Sequence, residues 1–255
     1  NIIDVEIADR VDTQKPSVVF YKEKYSQGQI YILAKARTQK ELAEKFSERA
    51  NEMVSLLNDV EVKRTTYVTK LALDEVIQRK IIDVWGLNLL VPKGAYTVRA
   101  DTAFTWIDRQ LTRLKGSNNH DVQQGFFIHS EPYFGPNQFT LEHILDRRDE
   151  ITKQYVSGPT EGSYMQIERR MIPSYEELSF KGGFASEVRG LWRMENDFMG
   201  GPFYSLTFYD EPHARLVTVE GYAYAPYFDK RPYMREIEGI VKSVETLQPE
   251  EITHQ

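Results

Sequence analysis

Apolar residues recur along this chain with two spacings, and the places where one gives way to the other mark the elements. The opening run Ile2-Ile3-Asp4-Val5-Glu6-Ile7 alternates and predicts a strand. Ser17-Val18-Val19-Phe20-Tyr21 and Gln29-Ile30-Tyr31-Ile32-Leu33-Ala34 flank the turn-forming Ser26-Gln27-Gly28, so residues 1–37 read as strands with a hairpin between them. The spacing then lengthens. Thr38 and Glu41 have capping-box spacing, and Leu42, Phe46, Met53 and Leu57 recur at helical intervals with Ala50 and Val54 alongside. A second helix is predicted over 73–85, carried by Val76, Ile77, Ile81, Val84 and Trp85 and stopped by Gly86.

Beyond Gly86 strands dominate. Leu87–Val91, Phe104–Ile107 and Phe126–His129 read as strands, with the polar run 115–124 between the last two as a loop. A helix is predicted over 139–156, with Leu141, Ile144, Leu145, Ile151 and Tyr155 on its apolar side and Ser157-Gly158-Pro159 ending it. Tyr164–Met171 alternates. So does 184–194, where Phe184, Val188, Trp192 and Met194 oppose Glu187, Arg189 and Arg193, the pattern of an antiparallel strand with one wet face. Met199-Gly200-Gly201-Pro202 reads as a loop, followed by strands over 203–209 and 216–224 and a helix from Asp229 that turns Met234, Ile237, Ile240, Val241 and Val244 inward.

From residue 87 the predicted order is therefore β-β-β-α-β-β-β-β-α. Short connections between strands imply an antiparallel sheet, and the amphipathic helices need a sheet face to cover. The expected class is α+β. The expected division is an N-terminal α+β segment over 1–86, an antiparallel-sheet domain over 87–247 and a polar tail over 248–255.

Composition narrows the function classes. The chain has 255 residues and a net charge of −6, which argues against the basic field of a nucleic-acid binder. No apolar run approaches the ~20 residues of a membrane helix. Cysteine is absent, which excludes disulfides, thiolate metal sites and Cys nucleophiles. A start inside a strand, with no initiator Met and no signal features, implies that upstream sequence has been removed. The common nucleotide, hydrolase and metalloprotease motifs are missing, and no cofactor is expected.

Candidate chemistry is sparse. His129 and Glu131 share a strand face and could chelate a metal, although a lone histidine on a half-buried strand is the commoner outcome. His143 with Asp146 and Arg147 reads as a surface helix pair. The segments 157–165 and 189–203 put acids, aromatics and glycines at strand ends. They nominate Glu161, Arg189, Glu195 and Asp197 as the polar members of a ligand-binding groove rimmed by Tyr164 and Trp192. The competing reading is that the glycines supply backbone angles while the acids cap turns or pair with arginine. The late cluster Tyr222, Tyr224, Tyr227 and Tyr233 suits sugar or peptide binding, or plain cross-strand packing.

The run Phe139-Thr140-Leu141-Glu142, the segments Ser157–Met165 and Arg189–Phe203, and Val219–Pro226 with Asp229-Lys230-Arg231 together resemble domain-of-unknown-function family 4837, a group of bacterial proteins. The resemblance implies a longer N-terminus with a lipoprotein-type signal, and so a cell-envelope protein held by a lipid that this chain does not carry. It brings no catalytic residue. A Val-Pro-Lys-Gly strand end, an antiparallel sheet and a helix ending Ile240-Val241-Lys242-Ser243-Val244 also resemble the PsbP and Mog1 type of α/β/α sandwich at the level of fold. The expectation is a non-enzymatic module binding an envelope protein or glycan. The alternative is a hydrolase of an envelope substrate with Glu161, Glu195 and Asp197 as candidate acids. Two carboxyls facing across a cleft would favour hydrolysis; acids paired with arginine would not.

Overall fold

A computed structural model describes residues 1–8 and 17–248; the strand expectation for 9–16 and the tail expectation for 249–255 lie outside the described residues. The chain separates into two compact units, Asn1–Tyr67 and Val68–Gln255.

In the first unit β1 (Ile2–Ile7) pairs in parallel with β3 (Ile30–Ala36), and β2 (Val18–Lys22) lies antiparallel on the other side of β3. The long helix α1 (Gln39–Lys70) begins where the sequence places it: the Glu41 N–H donates to Thr38 Oγ1 at 3.1 Å, and the Arg37 N–H donates back to the Glu41 carboxylate at 2.8 Å. Val18, Ile30, Ile32 and Ala34 of the sheet meet Met53, Leu42, Phe46 and Val60 of the helix in one apolar cluster.

The second unit opens with α2 (Glu75–Trp85), capped by Asp74 at its start and by left-handed Gly86 at its end. Short β4 (Leu87–Asn88), β5 (Ala95–Ala100), β6 (Thr105–Lys115) and β7 (Asn118–Pro132) follow. After α3 (Leu141–Tyr155) come β8 (Tyr164–Ile167), β9 (Ser174–Phe180), β10 (Gly183–Glu195), β11 (Gly200–Asp210) and β12 (Arg215–Tyr224). Helix α4 (Arg231–Val241) and β13 (Glu245–Thr246), which pairs with β4, close the chain. The main sheet is antiparallel, in the order β5-β6-β7-β12-β11-β10-β8, with β9 on the same side of β10 as β8 but further toward its start. The expected α+β class and helix-covered antiparallel sheet are what the structure shows.

The core has two layers because the central strand is buried on both faces. Val217, Val219 and Ala223 of β12 pack with Ile77, Ile81 and Trp85 of α2 and Ile237, Ile240 and Val241 of α4. Tyr222, on the opposite face, packs with Phe127, Val188, Trp192 and Phe203 and with Ile144, Leu145 and Ile151 of α3. Since α2 contributes to the larger core, the division falls ahead of it, at 67/68, and not near 86.

Five expectations change, the first being the strand expected over 87–91, which stops at Asn88. The polar run 115–124 is not a loop but the tip of the β6–β7 hairpin, paired in register from Leu111↔Val122 to Lys115↔Asn118 around Gly116-Ser117. That arm is mostly exposed on both faces, so it lacks the alternation by which strands are recognised. Gly200–Pro202 is not a loop either; it opens β11, paired with Leu191–Arg193. A Cβ at Gly201 would overlap the Ala223 carbonyl, so glycine is there for close backbone approach. The edge strands β5 and β9, predicted as no element, are half wet and carry charge. The strand expected over 164–171 stops at Ile167.

One charged pair ties α3 to the sheet. Arg148 donates to Glu220 through Nε at 2.8 Å and Nη2 at 2.7 Å, and both side chains are at most 3% exposed. Removing one partner strands a charge in the core. Arg148→Ala is expected to cost about 3–5 kcal/mol in urea unfolding, whereas Arg148→Met combined with Glu220→Leu costs much less.

Candidate functional site

The nominated residues do not form one site. Tyr164 stands opposite Glu195 in the β8–β10 pairing, Gln166 donates to the Glu195 carboxylate, and Arg193 meets Glu195 at 2.8 Å. Thr160 donates to Asp197 at 2.6 Å, and this bond holds the Asp197 carboxyl below its ordinary range. These contacts join the 157–163 and 195–199 turns, with Glu161 exposed at the tip of the first. Trp192 is not a rim residue: it is 1% exposed and packs edge-on to Tyr222 at 5.3 Å. Arg189 lies on the other face of β10, bidentate to Glu238 of α4 at 2.9 Å and 3.0 Å from Glu187. Burial opposes the Arg189 charge, yet Glu238 and Glu187 raise its pKa above the usual value. The Tyr204 hydroxyl donates to Glu187 and Lys242 reaches Glu238, so Arg189 is one member of a clamp on α4.

His129 and Glu131 also part company. Glu131 reaches His143 of α3 at 2.7 Å, so His143 bonds across elements and not to Asp146 or Arg147. His129 is buried, and burial with the nearby charges of Arg147 and Arg148 pushes its pKa down to about 3. Positive neighbours disfavour a cation there, and among the described residues no group of three or more metal-ligating side chains occurs. Of the late tyrosines, Tyr222 is core, while Tyr227 packs at a tilt against His120, ring centres 4.2 Å apart.

An aromatic-lined concavity lies at the opposite end of β10, on the order of 35 Å along the strand from the turn cluster. It holds 490 Å³ and is walled by Tyr133, Phe139, Tyr175, Phe184 and Tyr209, with Glu177 and Glu211 at its margin. Each wall is held by a local device. The Gln138 amide accepts from the Phe134 and Gly135 N–H groups and donates to the Pro132 carbonyl, fixing the loop that carries Tyr133 and Phe139. The Tyr175 hydroxyl lies 2.9 Å from the Phe139 carbonyl, 3.0 Å from Glu177 and 3.2 Å from the Ser186 hydroxyl. Tyr133 packs on Tyr209 at 4.7 Å, and Phe139 meets Phe184 edge-on at 4.8 Å. Phe184 and Tyr209 nevertheless remain 47% and 40% exposed. A second concavity of 550 Å³ shares Gly183, Phe184, Tyr209 and Glu211 with the first and runs on past Lys181 to Val244–Gln248.

Residues 74–243 match the model of a family described as Domain of unknown function (DUF4837). This chain belongs to the DUF4837 family. Residues 1–70 match a second model, Domain of unknown function (DUF8532), so the two matches meet close to the division between the units. No curated protein matches the chain. The likeness to PsbP and Mog1 is not confirmed by either match. The groove lies wholly within the DUF4837 match, and sequence reading passed over it. Its aromatics come one or two at a time from four separated segments, and sequence reading placed Phe184 in an alternating strand and Phe139 at the start of a helix without linking them.

The DUF4837 unit should weaken in mild acid through His129. Its folded pKa is depressed below 6.5, so between about 6.5 and 3 the unfolded chain binds the extra proton. The stability this provides is full above pH 6.5 and lost as the pH falls toward 3. His129→Leu is expected to flatten that part of the acid limb in urea titrations at pH 7, 5 and 4, relative to the unaltered chain.

Proposed function

We propose that this chain is a non-enzymatic recognition module of the bacterial cell envelope, lipid-anchored in its full-length form. In this reading it binds an envelope protein or glycan through the aromatic groove at the start of β10. The observation that carries the reading is the half-exposed aromatic pair Phe184 and Tyr209, held by packing against Phe139 and Tyr133 around a 490 Å³ concavity. Exposed aromatics on a rigid frame bring large contact area at little entropic cost, as binding surfaces require. The volume lies in the ~300–1,000 Å³ range of ligand sites.

The hydrolase alternative has less to recommend it. Glu195 is engaged by Arg193 and Gln166, and Asp197 by Thr160 and the Phe198 N–H. Acids so engaged suit turn architecture better than general acid–base work. Envelope location and lipid anchoring rest on the family resemblance and form part of the proposal.

Phe184→Ala with Tyr209→Ala removes the exposed pair and leaves the buried layer alone. The double variant is expected to lose at least tenfold in affinity for its envelope partner in surface-binding assays with fractionated envelope extract, with a melting temperature within a few degrees of the parent. Phe198→Ala, at the opposite end of β10, serves as the control and should bind normally. Equal binding by the double variant would reject the groove as the recognition surface.

A further inference from the structure

We infer that the groove receives a basic side chain, lysine or arginine, presented by an extended segment of a partner polypeptide. The inference rests on the groove reading above and adds the chemistry of the occupant. The 490 Å³ concavity is lined by five aromatic side chains and two carboxylates, Glu177 and Glu211, and by no lysine, arginine or histidine. Among the described residues no ion pair reaches either carboxylate, in a chain whose other acids are widely paired. Aromatic faces attract a cation through their quadrupoles, and carboxylates at the rim complete its neutralisation. A neutral sugar would use the rings but neutralise neither charge, although the Tyr175 hydroxyl donates to Glu177 at 3.0 Å.

Three further observations point to a polypeptide rather than a free amine. First, the concavity is too large for one side chain and continues into the 550 Å³ trough beside Val244–Gln248, giving a path for several residues of extended chain. Second, the one lysine of that trough, Lys181, is itself paired with Glu245 at 3.1 Å, which limits its repulsion of an incoming cation. Third, the acidic field extends sideways. Thr140 is shared with a 360 Å³ depression in which Glu131, Glu150 and Asp146 are paired with His143, Arg147 and Arg169, while no ion pair among the described residues reaches Glu142. A segment with more than one basic residue would meet acids on both sides of the aromatic wall.

The test is NMR titration of the isotope-labelled full chain with four probes: an alternating alanine–lysine hexapeptide, its arginine counterpart, its norleucine counterpart, and the N-acetylglucosamine tetramer. The lysine and arginine peptides are expected to shift resonances of Tyr133, Tyr175, Phe184 and Tyr209. The norleucine peptide should bind at least tenfold more weakly. Glu177→Gln with Glu211→Gln should weaken the lysine peptide at least fivefold, while Glu161→Gln, at the far end of β10, leaves it unchanged. Equal binding of the norleucine peptide, or binding of the sugar alone, would overturn the cationic occupant and leave the groove as the recognition surface. Absence of any shift at the groove with the basic peptides would also overturn it. The Phe184 and Tyr209 double variant, measured on the envelope partner, separately decides whether the groove is used at all.

Discussion

A strand buried on both faces cannot carry a bare charge, and the larger unit is arranged around that constraint. β12 runs through the middle of the sheet with Val217, Val219 and Ala223 on one side and Thr218, Glu220 and Tyr222 on the other. The Glu220 carboxylate would be severely destabilising there without Arg148, which reaches it from α3 in a bidentate fork. On the opposite face Gly221 admits Ile237 of α4 at a distance that a Cβ would forbid. Adjacent positions on one strand thus set the seats of two helices, one by charge and one by the absence of a side chain.

The groove follows from the first of these seats. Thr140 caps α3 and Phe139 immediately precedes it, so whatever fixes α3 on the sheet also fixes one aromatic wall. The other walls belong to strand ends: Tyr209 at the close of β11 and Phe184 at the opening of β10, just after the tight Lys181-Gly182 turn. Recognition residues carried on strand and helix termini inherit the rigidity of the core beneath them. That is the physical basis for placing a binding function there and not in the exposed turns around Glu161 and Phe198.

Sequence reading recovered what periodicity encodes. The helices, the buried strands β10 to β12, the capping of α1 and the antiparallel α+β class all follow from repeating apolar positions. It failed where burial leaves no period. The β6–β7 arm is wet on both faces, β5 and β9 are half-wet edges, and Gly200-Gly201 looks like a loop until the Ala223 carbonyl is seen against it. The site was less legible still. Tyr164 and Glu195 stand opposite each other, and Thr160 joins the turn that carries Glu161 to Asp197, but these are pairings between neighbouring turns. Trp192 is core, and Arg189 belongs to the opposite face with Glu238. Residues from four segments meet in the groove only after the sheet has formed, and no local pattern announces such a meeting.

The most direct test of the account is hydroxyl-radical footprinting of the aromatic side chains with and without envelope extract. The account predicts protection concentrated on Tyr133, Phe184 and Tyr209, with Tyr164 and Phe198 unchanged. Protection of Tyr164 and Phe198 with the groove still fully reactive would contradict it.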